Sequence, residues 1–271
     1  MKASQKKLNA KTPAAAERGK RRKNGLPTGS RFYGLPVPGY KDEEVGGSLI
    51  VLEGPDGSGR STQIALLTEW LESEGFAVQT MGLRRSYLVA ADIDELLENN
   101  AVTRMTLALM YATDFYDQLE HRILPALRSG MVVLADRYIF TLIARGTVRG
   151  IEREYLHGLY QMALRPHLTF WLTVKPEVAF EREFKKSHAI SYWEAGRDMS
   201  LSSDLFKSFI RYQNMVKKEF EILARRHGFV AVDGERSVRE VNGDLRKRIA
   251  AQLGIRSTKY RPSGALASVW R

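Results

Sequence analysis

A chain of 271 residues, 44% of them hydrophobic, is long enough for one large domain or two small ones and can bury a core. It has no cysteine, which excludes disulfides, zinc–thiolate sites and thiol nucleophiles, and its five histidines (His121, His157, His167, His188 and His227) lack metal-ligand spacing. No apolar run approaches the roughly 18 residues of a membrane span and the N-terminus lacks the apolar core of a secretory signal, so no membrane partner and a cytoplasmic location are expected.

The net charge of +11 is unevenly placed. Residues 1–31 hold ten Lys or Arg against Glu17 alone, a local charge of +9 that leaves +2 for the rest. With almost no large apolar residues, this segment predicts a disordered basic tail and linker over residues 1–45. Such a tail suits nonspecific attraction to an anionic partner, whether nucleic acid, anionic lipid or an acidic protein, and KRRK at 20–23 also resembles a basic targeting run.

The run SLIVLEGPDGSGRST at 48–62 follows. Leu49, Ile50, Val51 and Leu52 read as a buried parallel strand, and Ile64, Leu66, Leu67, Trp70 and Leu71 recur at helical spacing behind the glycines. Gly54, Gly59 and Ser61 fit GxxxxGK[ST], in which backbone N–H groups and a helix N-terminus wrap an oligophosphate and the hydroxyl meets Mg²⁺. Gly54, Gly57, Ser58, Gly59, Arg60, Ser61 and Thr62 are therefore the candidate phosphate-binding loop, with Arg60 in the place of the lysine. A glycine-rich turn without a ligand is the alternative, and the strand–loop–helix context favours the phosphate.

Further apolar runs at 76–81, 131–135, 168–174 and 228–232 alternate with helical patterns. Five strands with helical crossovers predict an α/β fold, a doubly wound parallel sheet with helices on both faces, over residues 46–254, followed by a short extension at 255–271. MVVLADRY at 131–138 delivers Asp136 and Arg137 to the edge where the phosphate loop sits. A carboxylate there can hold Mg²⁺ through water and a guanidinium can fork onto a phosphate; an ordinary strand-end ion pair is the alternative.

Taken together, GPDGSGRSTQ, LALMYATDFYDQLEHRILPALRSG at 107–130, ADRY at 135–138 and RPHLTFWLTVKPEVAFER at 165–182 resemble the thymidylate kinase family of P-loop nucleoside monophosphate kinases. The resemblance implies a five-stranded parallel sheet and transfer of the γ-phosphoryl of ATP, with Mg²⁺, to the 5′-phosphate of dTMP. It implies that the loop, Arg60 and Ser61 hold the ATP phosphates and that Asp56 lies near the acceptor and the metal. Arg137 would grip the acceptor phosphate, helped by Arg85 or, by register, Arg84. Arg182 would flank the adenine beside VDGERS at 232–237, and Lys185, Lys186 and Arg197 would be cations of a mobile lid. Tyr111 would stack on the base. A homodimer packed through helices near 91–129 and 151–163 is also implied.

The chain departs from the family pattern in four places. Arg60 keeps the charge of lysine but not its compact shape. Phe115 stands where the family carries a base-binding arginine, which suggests a remodelled acceptor site, unless Tyr111 and Phe115 belong to a core stripe with Leu107 and Met110. After ADRY, Thr141 is conservative, but Arg145 and Gly146 replace a tyrosine and a glutamine. Finally, SHAISYWEAGRDMSLSSD replaces a short arginine-rich lid, and Tyr192, Trp193 and Glu194 would pack on a nucleotide or on the domain body. The expectation is a divergent kinase of nucleoside monophosphates; a catalytically weakened nucleotide-binding protein and a nucleic-acid 5′-end kinase are the alternatives.

Overall fold

The computed structural model describes residues 30–41, 45–256 and 259–270. Nearly all of these residues belong to one compact unit, Arg31–Arg271. The basic tail over residues 1–29 lies outside the described residues.

Five strands, β1 (Ser48–Glu53), β2 (Val78–Gly82), β3 (Val132–Asp136), β4 (Leu168–Thr173) and β5 (Val230–Asp233), form one sheet in the order β2-β3-β1-β4-β5. Every pairing is parallel. The phosphate-loop strand is therefore central, and the register sets Leu52 beside Asp136. Both candidate motifs thus emerge side by side at the carboxyl edge, where open parallel sheets bind ligands.

Side chains alternate across the sheet, and both faces are buried, as a parallel sheet requires. Leu49, Val51, Val133 and Ala135 enter one core; Ile50, Leu52, Val132 and Leu134 enter the other. On the second face lie α1 (Arg60–Ser73), which opens directly from the loop, and α9 (Val238–Leu253). The first face is covered by α3 (Arg104–Gln118), α5 (Ile139–Val148) and α8 (Leu205–His227). Helices α2 (Ala90–Glu98), α6 (Arg153–Leu159) and α7 (Pro176–Ser187) complete the surround.

Helix α3 passes through a π-helical turn, Leu119–Ile123, into α4 (Leu124–Arg128). Pro125 has no N–H to give to the preceding turn, so the ladder widens there rather than continuing in register.

The linker expected through residue 45 is shorter than that. Phe32 is fully buried and pairs with Leu164. The amides of Tyr33 and Gly34 donate to Ala163 O and Gln161 O, and Val37 and Val45 are buried in the same core. Aromatic and β-branched residues in this stretch supply apolar area that the preceding lysine-rich segment lacks. The C-terminal segment also packs. Arg246 of α9 lies against the rings of Trp70, Tyr260 and Trp270, and the Ser263 amide donates to Glu69 of α1. Removing the two outer rings (Tyr260→Ala with Trp270→Ala) is expected to lower Tm by about 3–6 °C in calorimetry, since each cation–π contact contributes about 0.5–1 kcal/mol.

His227 sits among Tyr33, Phe140 and Phe229. Burial, with His157 and Arg226 nearby, pulls its pKa down to about 4. The unfolded chain therefore binds a proton that the folded chain refuses between about pH 6.5 and pH 4, and stability falls as pH falls through that window. His227→Phe should reduce the stability lost between pH 7 and pH 5 by about 1 kcal/mol in denaturant titrations, after allowance for partial exposure.

Candidate active site

The loop between β1 and α1 is shaped by residues without side chains. Gly57 has φ +76°, and an added Cβ would meet Ala179 O at 2.6 Å; Gly59, with φ +89°, opens onto free space. No side chain caps α1. The amides of Gly57, Gly59, Arg60, Ser61 and Thr62 have no acceptor among the described residues. Unpaired N–H groups at a helix start form an anion cradle that needs an external oxygen-rich ligand. Ser58 is 2% exposed and points inward, and the Gly54 carbonyl accepts from both Arg60 and Arg137.

Arg60 does not reach outward as a loop lysine does. Its Nη1 donates to Gly54 O, Pro55 O and Ser58 Oγ, and its Nε donates to Asp136 Oδ1 at 2.8 Å. The planar fork fits the loop's own carbonyls and leaves the side chain 8% exposed. Beside it, Ser61 Oγ donates to Asp136 Oδ2 at 2.9 Å. Burial alone would raise the Asp136 pKa, but Arg60 and Arg137 more than offset it and hold the carboxylate ionised. A hydroxyl and a carboxylate are the hard oxygen donors that Mg²⁺ takes, and no cluster of three or more His, Cys, Asp or Glu suited to a metal occurs among the described residues. That donor set fits a Mg²⁺ completed by phosphates and water rather than an all-protein cage.

Asp56 gathers three guanidiniums. Its Oδ1 accepts from Arg137 Nη2, its Oδ2 from Arg145 Nη2 at 2.9 Å, and Arg60 Nη2 lies 3.6 Å away. These cations outweigh burial and hold the carboxyl well below the usual carboxylate range. Crowding has the reverse effect on Arg137: burial and the Arg60 charge pull it down to about 10, so it stays protonated at neutral pH.

Arg137 occupies the left-handed region at φ +73°, a conformation that costs a non-glycine residue about 1 kcal/mol or more. Glu53, fully buried at the end of β1, holds that turn. Its Oε1 accepts from the amides of Tyr138 and Thr141 and its Oε2 from Thr141 Oγ1. Burial raises the Glu53 pKa, moderated by Thr141 and Arg137.

A second carboxylate shapes the β2–α2 loop. Buried Asp114 of α3 accepts from the amides of Arg84, Arg85 and Ser86. The tight turn puts Arg84 at φ +58° and on the wall of a cavity, paired with Asp94. Arg85 instead lies back over Gly82, where an added Cβ would come within 2.9 Å of its Nε.

That cavity holds about 380 Å³ beside the loop and is lined by Leu107, Tyr111, Leu142, Arg145, Tyr160 and Trp193 among others. A second, smaller one of about 30 Å³ lies between Gly54, Pro55, Arg137, Arg145 and Trp171. Tyr111 lines the larger cavity. Phe115 does not: it is 1% exposed and packs edge-on against Tyr116, Tyr138 and Tyr160, so it touches no acceptor and belongs to the core stripe. Thr141 is likewise fully buried, bonded to Glu53 and Arg137, and positions Arg137 rather than meeting a substrate. Arg197 lines neither cavity and gives its guanidinium to Ser203 O, so the phosphate cluster does not include it here. Arg182 donates to Gly57 O and Gly234 O, which joins α7, the phosphate loop and the turn after β5. Lys186 pairs loosely with Glu183 on the α7 surface, and Lys185 is exposed.

The segment after α7 closes the cavity. Arg149 at the end of α5 pairs with Asp198, donates to Tyr212 Oη and Trp193 O, and lies over both rings. The Trp193 indole N–H reaches Leu97 O.

Sequence reasoning missed Glu53, Asp114 and Arg149 as organisers. Glu53 ends an otherwise apolar strand, which is the signal that could have found it; Asp114 and Arg149 stand among other charges with no local mark.

A central-strand phosphate loop, a carboxylate one strand over and an arginine cluster facing a cavity define a P-loop phosphotransferase of the nucleotide-kinase type. The family model for thymidylate kinase matches residues 52–245. The chain is 38% identical to "Probable thymidylate kinase 2" of Saccharolobus solfataricus, over 74% of this chain and 94% of that protein. It is 31% identical to "Thymidylate kinase" of Caldicellulosiruptor saccharolyticus (75% and 96% covered) and 32% identical to "Thymidylate kinase" of Symbiobacterium thermophilum (76% and 94%). The chain belongs to the thymidylate kinase family, as a divergent member.

Because Glu53 satisfies three donors in a dry site, Glu53→Ala should cost about 3 kcal/mol in denaturant unfolding, and Glu53→Gln, which keeps one acceptor oxygen, clearly less.

Proposed function

We propose that the protein transfers the γ-phosphoryl of Mg·ATP to the phosphate of a nucleoside monophosphate, with dTMP the first candidate. The observation that carries this reading is the Asp56–Arg137–Arg145 cluster, placed between a loop of unpaired amides and a cavity walled by Tyr111. The attacking group is already a phosphate oxygen, so the chain has only to position two anions and neutralise their charge. The loop amides would bind the donor phosphates, and Ser61 and Asp136 would hold Mg²⁺, which when bound draws charge from the bridging phosphate oxygens. Arg182 and the turn at Gly234 would border the donor base. Arg137 would take the acceptor phosphate, with Asp56 fixing its guanidinium.

The kinase names of the three relatives give a binding-only reading no support. With Phe115 in the core and Gly146 packed against Leu156, neither supplies a base-edge hydrogen bond. Discrimination would then rest on shape around Tyr111, where one methyl changes selectivity by about 10–200-fold at most. Leu88 and Leu109, exposed near α2 and α3, fit the helix-packed homodimer, and the basic N-terminal segment fits an anionic partner. A cytoplasmic enzyme is the corresponding setting.

Incubating the protein with Mg·ATP and dTMP, dUMP, UMP, CMP or AMP should yield ADP and the matching diphosphate for at least one acceptor, dTMP foremost. No diphosphate from any of the five would overturn the reading. Asp136→Asn should raise the Mg²⁺ concentration needed for half-maximal turnover at least tenfold, and Tm should fall as well because the carboxylate also pairs with the buried Arg60 guanidinium.

A further inference from the structure

Arg145 holds the position where the family pattern has a tyrosine, and its surroundings are those of a ligand-binding cation. It lines both the large cavity beside Tyr111 and the small cavity behind Gly54 and Pro55, and no other residue but this one is shared by the two linings. A phosphate attached to a base seated on Tyr111 would meet Arg145 on the side where its guanidinium pairs with Asp56 of the loop.

Its guanidinium is also the reachable one. Arg60 spends its Nη1 and Nε on loop carbonyls, Ser58 and Asp136, and its side chain is 8% exposed. Arg145 donates only to Asp56 Oδ2 among the described residues, and its side chain is 24% exposed. With five N–H donors in a planar fork, Arg145 has several left for an anion. Thr141 and Arg149, four residues to either side on the same face, anchor the helix to Glu53 and to Asp198, so the Arg145 side chain projects from a fixed support.

Arg60, Arg137 and Arg145 face Asp56 and Asp136 within hydrogen-bonding or ion-pair distance, and Glu194 on the cavity wall also acts on Arg145 through space. An entering phosphate would compete with these carboxylates for the guanidiniums.

Resting on the kinase reading, we propose that Arg145 is a phosphate-binding residue for the acceptor nucleotide, gripping its 5′-phosphate beside Arg137 from the cavity side. It would supply the outward-facing charge that Arg60, turned into its own loop, does not.

The test is calorimetric binding of a nucleoside monophosphate and its parent nucleoside, dTMP with thymidine and the four other monophosphates with theirs, to the full chain. Wild type, Arg145→Gln, Arg145→Lys and Arg145→Tyr are compared, the last carrying the residue expected from the family pattern. The wild type should bind its preferred monophosphate at least about 100-fold tighter than the nucleoside. Arg145→Gln and Arg145→Tyr should each lose about 10–100-fold in monophosphate affinity while nucleoside affinity stays within about twofold, and Arg145→Lys should keep part of the preference. Equal monophosphate affinity in wild type and Arg145→Tyr would overturn the proposal, as would parallel loss for nucleoside and monophosphate, the mark of a merely structural ion pair. A wild type that shows no preference for the phosphate would overturn it too. Turnover is read separately: tight, Arg145-dependent monophosphate binding without diphosphate product would sink the kinase reading and uphold this one.

Discussion

The Glu53 carboxylate, fully buried at the end of the central strand, fixes the start of α5 by accepting from Tyr138, Thr141 and the Thr141 hydroxyl. Everything at the carboxyl edge depends on that constraint. Strand β1 carries the phosphate loop, β3 carries Asp136 and Arg137, and the register between them sets only backbone positions. Glu53 converts the register into side-chain geometry, because it keeps Arg137 in a left-handed turn that its sterics disfavour. A buried hydrogen-bond network satisfied at each donor is stiff, and stiffness is what placement of two anions requires.

Asp56 then organises charge inside this frame. One carboxylate holds Arg137 and Arg145 close together, against their mutual repulsion, so that the proposed anion site would be preformed before any ligand enters. Asp114 does the analogous work for the β2–α2 loop, where three amides on one carboxylate send Arg84 to the cavity and Arg85 back over Gly82.

The fold was legible because its signals are local. Apolar runs of strand length, glycines at fixed spacing and helical periodicity each report on their own neighbourhood, and all five strands lie where those runs are. The site was legible in part. Asp56, Ser61, Asp136 and Arg137 stand in motifs whose spacing encodes their meeting point. Phe115 was ambiguous because a stacking ring and a core ring share one helical period, and only the packing of Tyr116, Tyr138 and Tyr160 around it decides. Arg149 and Asp198 are 49 residues apart, and nothing in either local sequence marks them as partners. The end of the basic segment is masked in the sequence because glycines and prolines around 34–39 carry the signal of a linker, whereas Phe32, Val37 and Val45 pack into the core.

The Arg149–Asp198 pair bears on how the cavity beside Tyr111 exchanges its contents. The segment with Tyr192, Trp193 and Glu194 is fastened by a guanidinium only 7% exposed, bonded to a carboxylate 8% exposed and laid on two aromatic rings. Swinging that segment away would strip the guanidinium of Asp198 and Trp193 and leave it only Tyr212 of α8, a penalty on the order of 3–5 kcal/mol unless water enters at the same moment. Traffic through the cavity is thereby tied to wetting of a single ion pair. Screening by salt reaches such a pair poorly, so opening of the segment would respond little to ionic strength.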